Sequence, residues 1–266
     1  PLPYKLNVTN QLLHGIELPN LRNGDSLSEK KLSDFRGDDF VDFEITNVPF
    51  GGVALPEDLN SFPSDLRSSE TADMFVALNV KRLKENGRAM IVLPDGFLFG
   101  TDKAKQNIKK YLLENCNLHT VIRLPQSVFA PYTSIATNLL FFDKTESTQE
   151  TWFYRLDMPE GYKHFSKTKP IKLEHFAPVE EWWKDRKEIK DEKTDTFKAK
   201  KYTIEEIKER NYDIDLCGYP NEEKEILPPR DLIAQYEKER SELNAEIDEV
   251  LQQITELLGF SLEDLR

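Results

Sequence analysis

The sequence has little cysteine: Cys116 and Cys217 are its only two, a hundred residues apart. That excludes a disulfide framework, and neither Cys nor the four His recur at metal-ligand spacing. No apolar run reaches the ~18 residues of a membrane-spanning helix. No basic stretch leads into an apolar one at the start, so no secretory signal is visible and the reading is cytoplasmic. A Walker A loop, a dinucleotide Gly-rich fingerprint and a nucleophile elbow are all missing. These absences weaken the reading of an unrelated nucleotide-binding α/β protein. Basic residues are also short, 36 against 48 acidic, a net charge of −12. A free-standing nucleic-acid binder is usually basic.

The charge is uneven. Residues 1–160 carry 17 basic and 22 acidic groups, residues 161–210 carry 14 and 11, and residues 221–266 carry 5 and 13. Much of the acidity therefore sits in the tail and need not describe the face that meets a ligand. Hydrophobic residues make up 38% of the 266, with 16 Phe, enough for a core.

Three stretches follow from the pattern: 1–160, a mixed extension over 161–228, and a terminal helix over 229–266. Residues 1–39 read as irregular, with Pro, Gly and Asn punctuation. Phe40–Thr46 alternates and predicts a strand, ending in the loop Asn47-Val48-Pro49-Phe50-Gly51-Gly52. The Ser-, Pro- and Asp-rich stretch 53–70 reads as flexible. Apolar spacing predicts helices over Ala72–Lys84, stopped by Asn86-Gly87, and over Lys103–Glu114. Short apolar runs predict strands at Ala89–Leu93, Leu118–Leu124, Thr137–Asp143 and Thr151–Leu156, with a turn at Pro94-Asp95-Gly96. Alternating strands and helices predict an open α/β sheet. The short link before Thr137 predicts antiparallel pairing, placed here at the sheet edge.

Beyond residue 160, helices are expected around Trp182, Trp183 and Arg186 and over Thr203–Arg210, with a break at Pro228-Pro229. From Arg230 onward, Tyr236, Leu243, Ile247, Val250, Ile254 and Leu257 fall on a 3/4 alternation. This seam either docks a partner or another copy, or packs on its own domain.

The informative quartet is Asn47-Val48-Pro49-Phe50, at the carboxyl end of a predicted strand, where ligands of open α/β sheets bind. An Asn amide oxygen and a neighbouring carbonyl can both accept hydrogen bonds from one amino group. Pro49 biases Val48 toward extended backbone and so fixes where that carbonyl points. Phe50 offers a flat face. An exocyclic amine on a flat base, flipped out of a duplex, is the matching ligand. A plain strand-ending turn is the alternative.

The segment resembles the Asn-Pro-Pro-Phe motif of DNA adenine methyltransferases, and the likeness extends over roughly residues 10–220. Leu12-Leu13-His14-Gly15-Ile16, Asn23-Gly24-Asp25-Ser26-Leu27, Gly87–Pro94 with Gly96–Phe99, Leu118–Phe129 and Arg210-Asn211-Tyr212-Asp213-Ile214 are similar, in order, to the modification subunit of type I restriction–modification systems. The resemblance implies the second half of a Rossmann-like, S-adenosylmethionine-dependent methyltransferase fold, plus a helical extension. It implies that Asn47 and the Val48 carbonyl accept from the target adenine's amino group. Phe50 then stacks on the base, with Phe129 as a second wall or a loop anchor. Asp25 accepts from the adenine amine of S-adenosylmethionine, or serves only as a turn residue. DNA, a specificity subunit and a restriction subunit are the implied partners.

Two departures qualify the resemblance. Val48 stands where the family has Pro, so a looser loop and slower transfer are expected. The Asp/Glu-Pro-x-x-Gly-x-Gly loop and the acidic ribose ligand are missing. The chain alone is expected to bind S-adenosylmethionine weakly or not at all and to be inactive by itself. A non-catalytic truncated assembly module is the competing reading.

Overall fold

A computed structural model of the protein describes residues 2–191, 196–218 and 229–258. The chain divides into two compact units, Pro1–Pro220 and Asn221–Arg266.

The first unit opens with a helix, α1 (Leu2–Leu13), where the sequence reads as irregular. The punctuation sits at the helix ends. Pro3 lies in the first turn, where its missing N–H costs nothing, and Gly15 follows the last turn with φ of 84°. No residue of α1 is buried.

The strand expected at 40–46 is β1 (Val41–Asn47). Residues 53–70, expected to be flexible, instead contain the short helix α2 (Pro56–Ser61) and bury Phe62 and Leu66. Apolar residues spaced along a polar background anchor this stretch. Next come α3 (Thr71–Arg82) and β2 (Leu83–Pro94). Asn86-Gly87 does not end the helix but lies inside β2. Asn86 adopts φ of 63°, and β2's pairing with β1 jumps from Leu83 to Arg88 across this point. Pro94-Asp95-Gly96 is no simple turn either, since Asp95 begins α4 (Asp95–Phe99).

The chain continues through α5 (Lys103–Asn115), β3 (Asn117–Arg123), β4 (Thr137–Asp143) and β5 (Glu150–Arg155), all close to expectation. It then runs through α6 (Ala177–Lys184), β6 (Ile189–Lys190), β7 (Phe197–Thr203) and α7 (Ile204–Glu209). The two strands β6 and β7 have no counterpart in the sequence reading. The lysine-rich run Phe197-Lys198-Ala199-Lys200-Lys201-Tyr202-Thr203 hides its alternation, because long Lys stems cover apolar surface while the charge stays in water.

The seven strands form one sheet in the order β1-β2-β4-β3-β5-β7-β6. The open α/β sheet stands, with one correction. The antiparallel β4 lies inside the sheet, between β2 and β3, not at its edge. Its run Thr137-Asn138-Leu139-Leu140-Phe141-Phe142 has the near-continuous apolar character of a strand covered on both faces. Because β7 pairs with β5, the sheet continues across residue 160.

One face packs α3 and α5 over the strands. Met74, Val76, Val80, Ile108 and Leu112 meet Ile91, Leu93 and Leu140 in the main core. On the other face a smaller core joins Ile122, Tyr154 and Ala199 to Val179 and Trp182 of α6. Cys116 and Cys217 are both free and buried, and burial pushes each thiol up to about 12.

The second unit contains α8 (Pro229–Leu258), thirty residues long. Tyr236, Leu243, Ile247, Val250 and Ile254 of the expected seam are exposed on it. Pro228, residues 259–266 and the Leu257 side chain lie outside the described residues. Among the described residues, no helix is long and apolar enough to cross a membrane.

Candidate functional site

Strand directions fix where the site lies. β1 and β2 run parallel, β4 opposes both β2 and β3, and β3 runs parallel to β5. The carboxyl ends of β1, β2, β3 and β5 therefore share one end of the sheet. Asn47, Pro94, Arg123 and Arg155 close those four strands.

Asn47 is the last residue of β1, paired across to Val92, and its side chain is exposed. Val48, immediately after it, is 3% exposed and belongs to the main core. This burial pins the loop from below. It supplies an anchor at the position where proline would supply a backbone restriction. Pro49 is exposed, and Phe50 is half-buried against the core edge.

The loop then turns sharply. Gly51 takes φ of 71°, a conformation glycine adopts without steric cost. Gly52 approaches so closely that an added Cβ would stand 2.3 Å from Thr71 Oγ1. The chain is stitched down at once. Thr71 N–H donates to the Gly52 carbonyl at 3.0 Å, and Ala54 N–H to the Ser69 carbonyl at 2.9 Å. The quartet is thus held between the end of β1 and the start of α3.

Phe129 comes from the loop between β3 and β4. Its ring meets Phe50 edge to face, with centroids 5.5 Å apart and planes at 85°. The structure therefore brings together Asn47, Val48, Pro49, Phe50 and Phe129. The Phe129 loop is an ordered series of turns. Ala130 N–H donates to the Ser127 carbonyl, and Tyr132 N–H to the Phe129 carbonyl, both at 2.9 Å.

Beneath that loop lies a buried polar cluster that the sequence reading passed over. Asp95 Oδ1 accepts from Asn138 Nδ2 at 2.5 Å and from Arg123 Nη2 at 3.3 Å. Arg123 also donates to Asp215 Oδ1 at 2.6 Å and to the Gly218 carbonyl at 3.0 Å. One guanidinium ties the ends of β2 and β3 to the segment after α7. The available signal was a charged residue closing an otherwise apolar strand, Val121-Ile122-Arg123. Buried charges are kept when paired. The Arg210–Ile214 element returns here too: Ile214 is fully buried, and its N–H donates to the Leu98 carbonyl.

Asp25 sits apart, in the loop between α1 and β1. It is exposed, and its Oδ1 accepts from Leu27 N–H at 2.9 Å, the bond of a side-chain-closed turn. Among the described residues, no hydrogen bond or ring contact joins Asp25 to the Asn47–Phe50 loop. No group of His, Cys, Asp and Glu among the described residues could hold a metal ion. His119 packs edge to face on Trp183, and His175 on Tyr162, which are structural settings.

Two buried ionisable groups flank the site without joining it. Lys109 donates to the Leu98 and Gly100 carbonyls, closing the end of α4, and burial pushes its ammonium down to about 8. Glu44, on the α3-facing side of β1, is pushed up to about 7 by burial, against the opposing pull of Arg82.

An Asn-x-Pro-Phe loop thus closes a strand of an open α/β sheet, with the Phe50 and Phe129 rings edge to face beside it. The chain belongs to the N-6 DNA methylase family, whose sequence model matches residues 1–226. It is 42% identical over 261 residues to the type I restriction enzyme EcoEI methylase subunit of Escherichia coli. That alignment takes in 98% of this chain and 52% of the relative. A crystal structure described as a modification subunit of a type I restriction enzyme from Vibrio vulnificus YJ016 matches with a TM-score of 0.70 and 42% identity. The match covers 77% of this chain and 42% of that one. A structure solved in a study of complex assembly in the type I restriction–modification system matches with a TM-score of 0.73 and 32% identity, over 96% and 53%. The chain thus spans about half the length of the EcoEI subunit.

The family implies use of S-adenosylmethionine. The described residues do not make a complete cradle for it. Asp25 is committed on one oxygen to its own turn, and the sequence contains no Gly-rich loop of the kind that holds the methionine portion.

Proposed function

We infer that this chain forms the adenine-holding half of a site-specific DNA adenine N6-methyltransferase subunit in a type I restriction–modification system. The carrying observation is the loop Asn47–Phe50 at the carboxyl end of β1, with Phe50 and Phe129 set edge to face at 5.5 Å.

The roles follow from the chemistry of the groups. A flipped adenine lies against Phe50, its amino group directed at Asn47 Oδ1 and the Val48 carbonyl. Both oxygens accept, so they draw the two N–H bonds into place and leave the nitrogen lone pair pointing away from them. Holding the nitrogen this way supplies positioning, the main protein contribution to a direct transfer. S-adenosylmethionine is the methyl donor the family implies, with Asp25 as the one candidate contact here. The rest of a subunit of the relatives' length completes its binding. A specificity subunit reads the DNA sequence, and a restriction subunit completes the complex. Phe129 acts as the second wall.

A second reading, a non-catalytic assembly module, is favoured by α8. Its exposed Tyr236, Leu243, Ile247, Val250 and Ile254 suit docking of the specificity subunit or another copy. The two readings separate by complementation. Supplying the remainder of the subunit, the specificity subunit and radiolabelled S-adenosylmethionine should give methylated adenine in duplex DNA. Asn47→Ala should abolish the signal while the complex still assembles. Assembly without methylation in the unsubstituted protein would leave the assembly reading standing alone.

A further inference from the structure

The segment between β5 and α6 contains a run that the adenine site does not use. Residues 161–173, Gly-Tyr-Lys-His-Phe-Ser-Lys-Thr-Lys-Pro-Ile-Lys-Leu, hold Lys163, Lys167, Lys169 and Lys172 and no Asp or Glu. All four lysines are exposed. Lys172 pairs with Glu174 at 3.3 Å, and Lys169 lies over the Tyr162 ring. Neither Lys163 nor Lys167 forms an ion pair with a described residue. Such a run in a chain of net charge −12 stands out against its own background.

The run is also built rather than loose. Phe165 is 1% exposed, packed against the rings of Tyr162 and His175. Ser166 and Lys169 exchange backbone hydrogen bonds at 3.0 and 3.2 Å, closing a tight turn with Lys167 at its tip. Phe165 N–H donates to Ser127 Oγ at 2.8 Å, which fastens the run to the same loop that presents Phe129. It leaves β5 at the carboxyl end, the end of the sheet that also holds Asn47.

We propose that Lys163, Lys167 and Lys169 form a strap that grips the DNA sugar–phosphate backbone to one side of the flipped adenine. This inference rests on the methyltransferase reading above. Lys169 remains available, because an ammonium over a ring keeps outward donors. The run lies beside the adenine site: Phe165 N–H reaches Ser127, two residues before Phe129, whose ring contacts Phe50. The strap therefore holds phosphates flanking the target base, contributing affinity but no sequence information.

The test uses the complete modification subunit carrying this sequence, in complex with its specificity subunit. The triple variant Lys163→Ala, Lys167→Ala, Lys169→Ala should bind specific and unrelated duplexes more weakly by a similar factor. Three lost phosphate contacts lower the slope of log K against log salt by about 2.7 and the affinity near 0.15 M salt by on the order of 100-fold. KM for DNA should rise with kcat unchanged, and the triple Lys→Arg variant should restore both slope and affinity. Backbone ethylation should interfere at phosphates flanking the adenine. An unchanged salt slope overturns the strap, as does loss of the specificity subunit from the complex, which would make the run a protein-docking surface. Asn47→Ala reports on the underlying reading separately. It should abolish methylation with DNA affinity and salt slope intact; if methylation persists, the site assignment fails whatever the strap does.

Discussion

The two flanks of the sheet are finished differently. On the β3–β5–β7 flank both faces are covered. Trp182 of α6 is 5% exposed and lies 4.7 Å, centroid to centroid, from the Tyr154 ring. Arg155 is buried and ion-paired to Asp157 and Asp191. On the β1 flank one face is bare. Glu44 and Thr46 turn toward α3, while Phe43 and Ile45 alternate outward at 72% and 79% exposed. Among the described residues β1 hydrogen-bonds a neighbouring strand on one edge only. Asn47 shares the parity of Phe43 and Ile45, so the proposed reactive amide lies on the bare side. Stability is concentrated on one flank and the proposed chemistry on the other. An exposed apolar strand face beside the proposed base-holding amide is the surface a further layer of a larger subunit has reason to cover.

The covered flank should break most expensively. Trp182→Ala removes a buried indole that contacts Trp152, Tyr154 and Trp183 and donates to the Lys187 carbonyl at 2.9 Å. A loss of about 3–5 kcal/mol in urea unfolding is expected. Arg155→Met should cost nearly as much. It leaves Asp157 and Asp191 without their buried cation, although Asp157 keeps Lys198 at 3.0 Å.

Glu44 sharpens the comparison through pH. Its carboxyl is raised from 4.5 to about 7 in the folded chain, so the folded state holds its proton longer than the unfolded state. Below about pH 4.5 both states are protonated and nothing is lost. Between about 4.5 and 7 stability falls with rising pH, by on the order of 3 kcal/mol in all. Glu44→Gln should remove that decline and stabilise the chain at pH 8. Urea midpoints measured at pH 5 and pH 8 in both proteins check the sign.

The Asn47–Gly52 loop gives an intermediate effect. Gly52→Ala places a Cβ 2.3 Å from Thr71 Oγ1, and Thr71 stands at the start of α3 with its N–H bonded to Gly52. A cost of about 1–3 kcal/mol and a fall in adenine methylation by the completed subunit are expected. Thr71→Ala alongside it should recover part of the stability. Val48→Pro asks a narrower question. The restriction that proline imposes should raise turnover if the loop is loose. If buried Val48 already pins it, turnover stays unchanged.

Local signals made much of this legible. The strands at 41–47, 117–123, 137–143 and 150–155 lie close to where apolar runs and alternation place them, and the quartet at 47–50 closes β1 at the strand end where the sequence reading set it. What escaped depended on distance in sequence. β4 reaches the sheet interior because β2 lies free beside it, and no local pattern encodes that choice. The Asp95–Arg123–Asp215 cluster joins residues up to 120 apart in numbering. Phe129 could be listed as a wall but not paired with Phe50, since their contact is made by two loops and not by a repeat. Asp25 shows the opposite limit: the turn reading and the cofactor reading both describe one short motif, and its bond to Leu27 N–H realises the turn.

The smallest stability effect belongs to the bare flank. Phe43→Ser and Ile45→Ser exchange exposed apolar side chains for polar ones on a strand whose packed face they do not touch. In the chain by itself, each should change unfolding free energy by no more than about 0.5 kcal/mol, against several for Trp182→Ala. The same substitutions should become costly once the remainder of the subunit is supplied, because burying a Phe or Ile contributes about 1.5–3 kcal/mol. Complementation titrated by light scattering and by adenine methylation reads that difference. A variant carrying both changes should fold normally, associate weakly with the rest of a subunit of the relatives' length and methylate poorly. If association is unaffected, the bare face is not where the rest of the subunit packs. The contrast between the flanks would then reflect only the open edge of β1, whose unpaired N–H and C=O groups could still recruit a strand without its side chains.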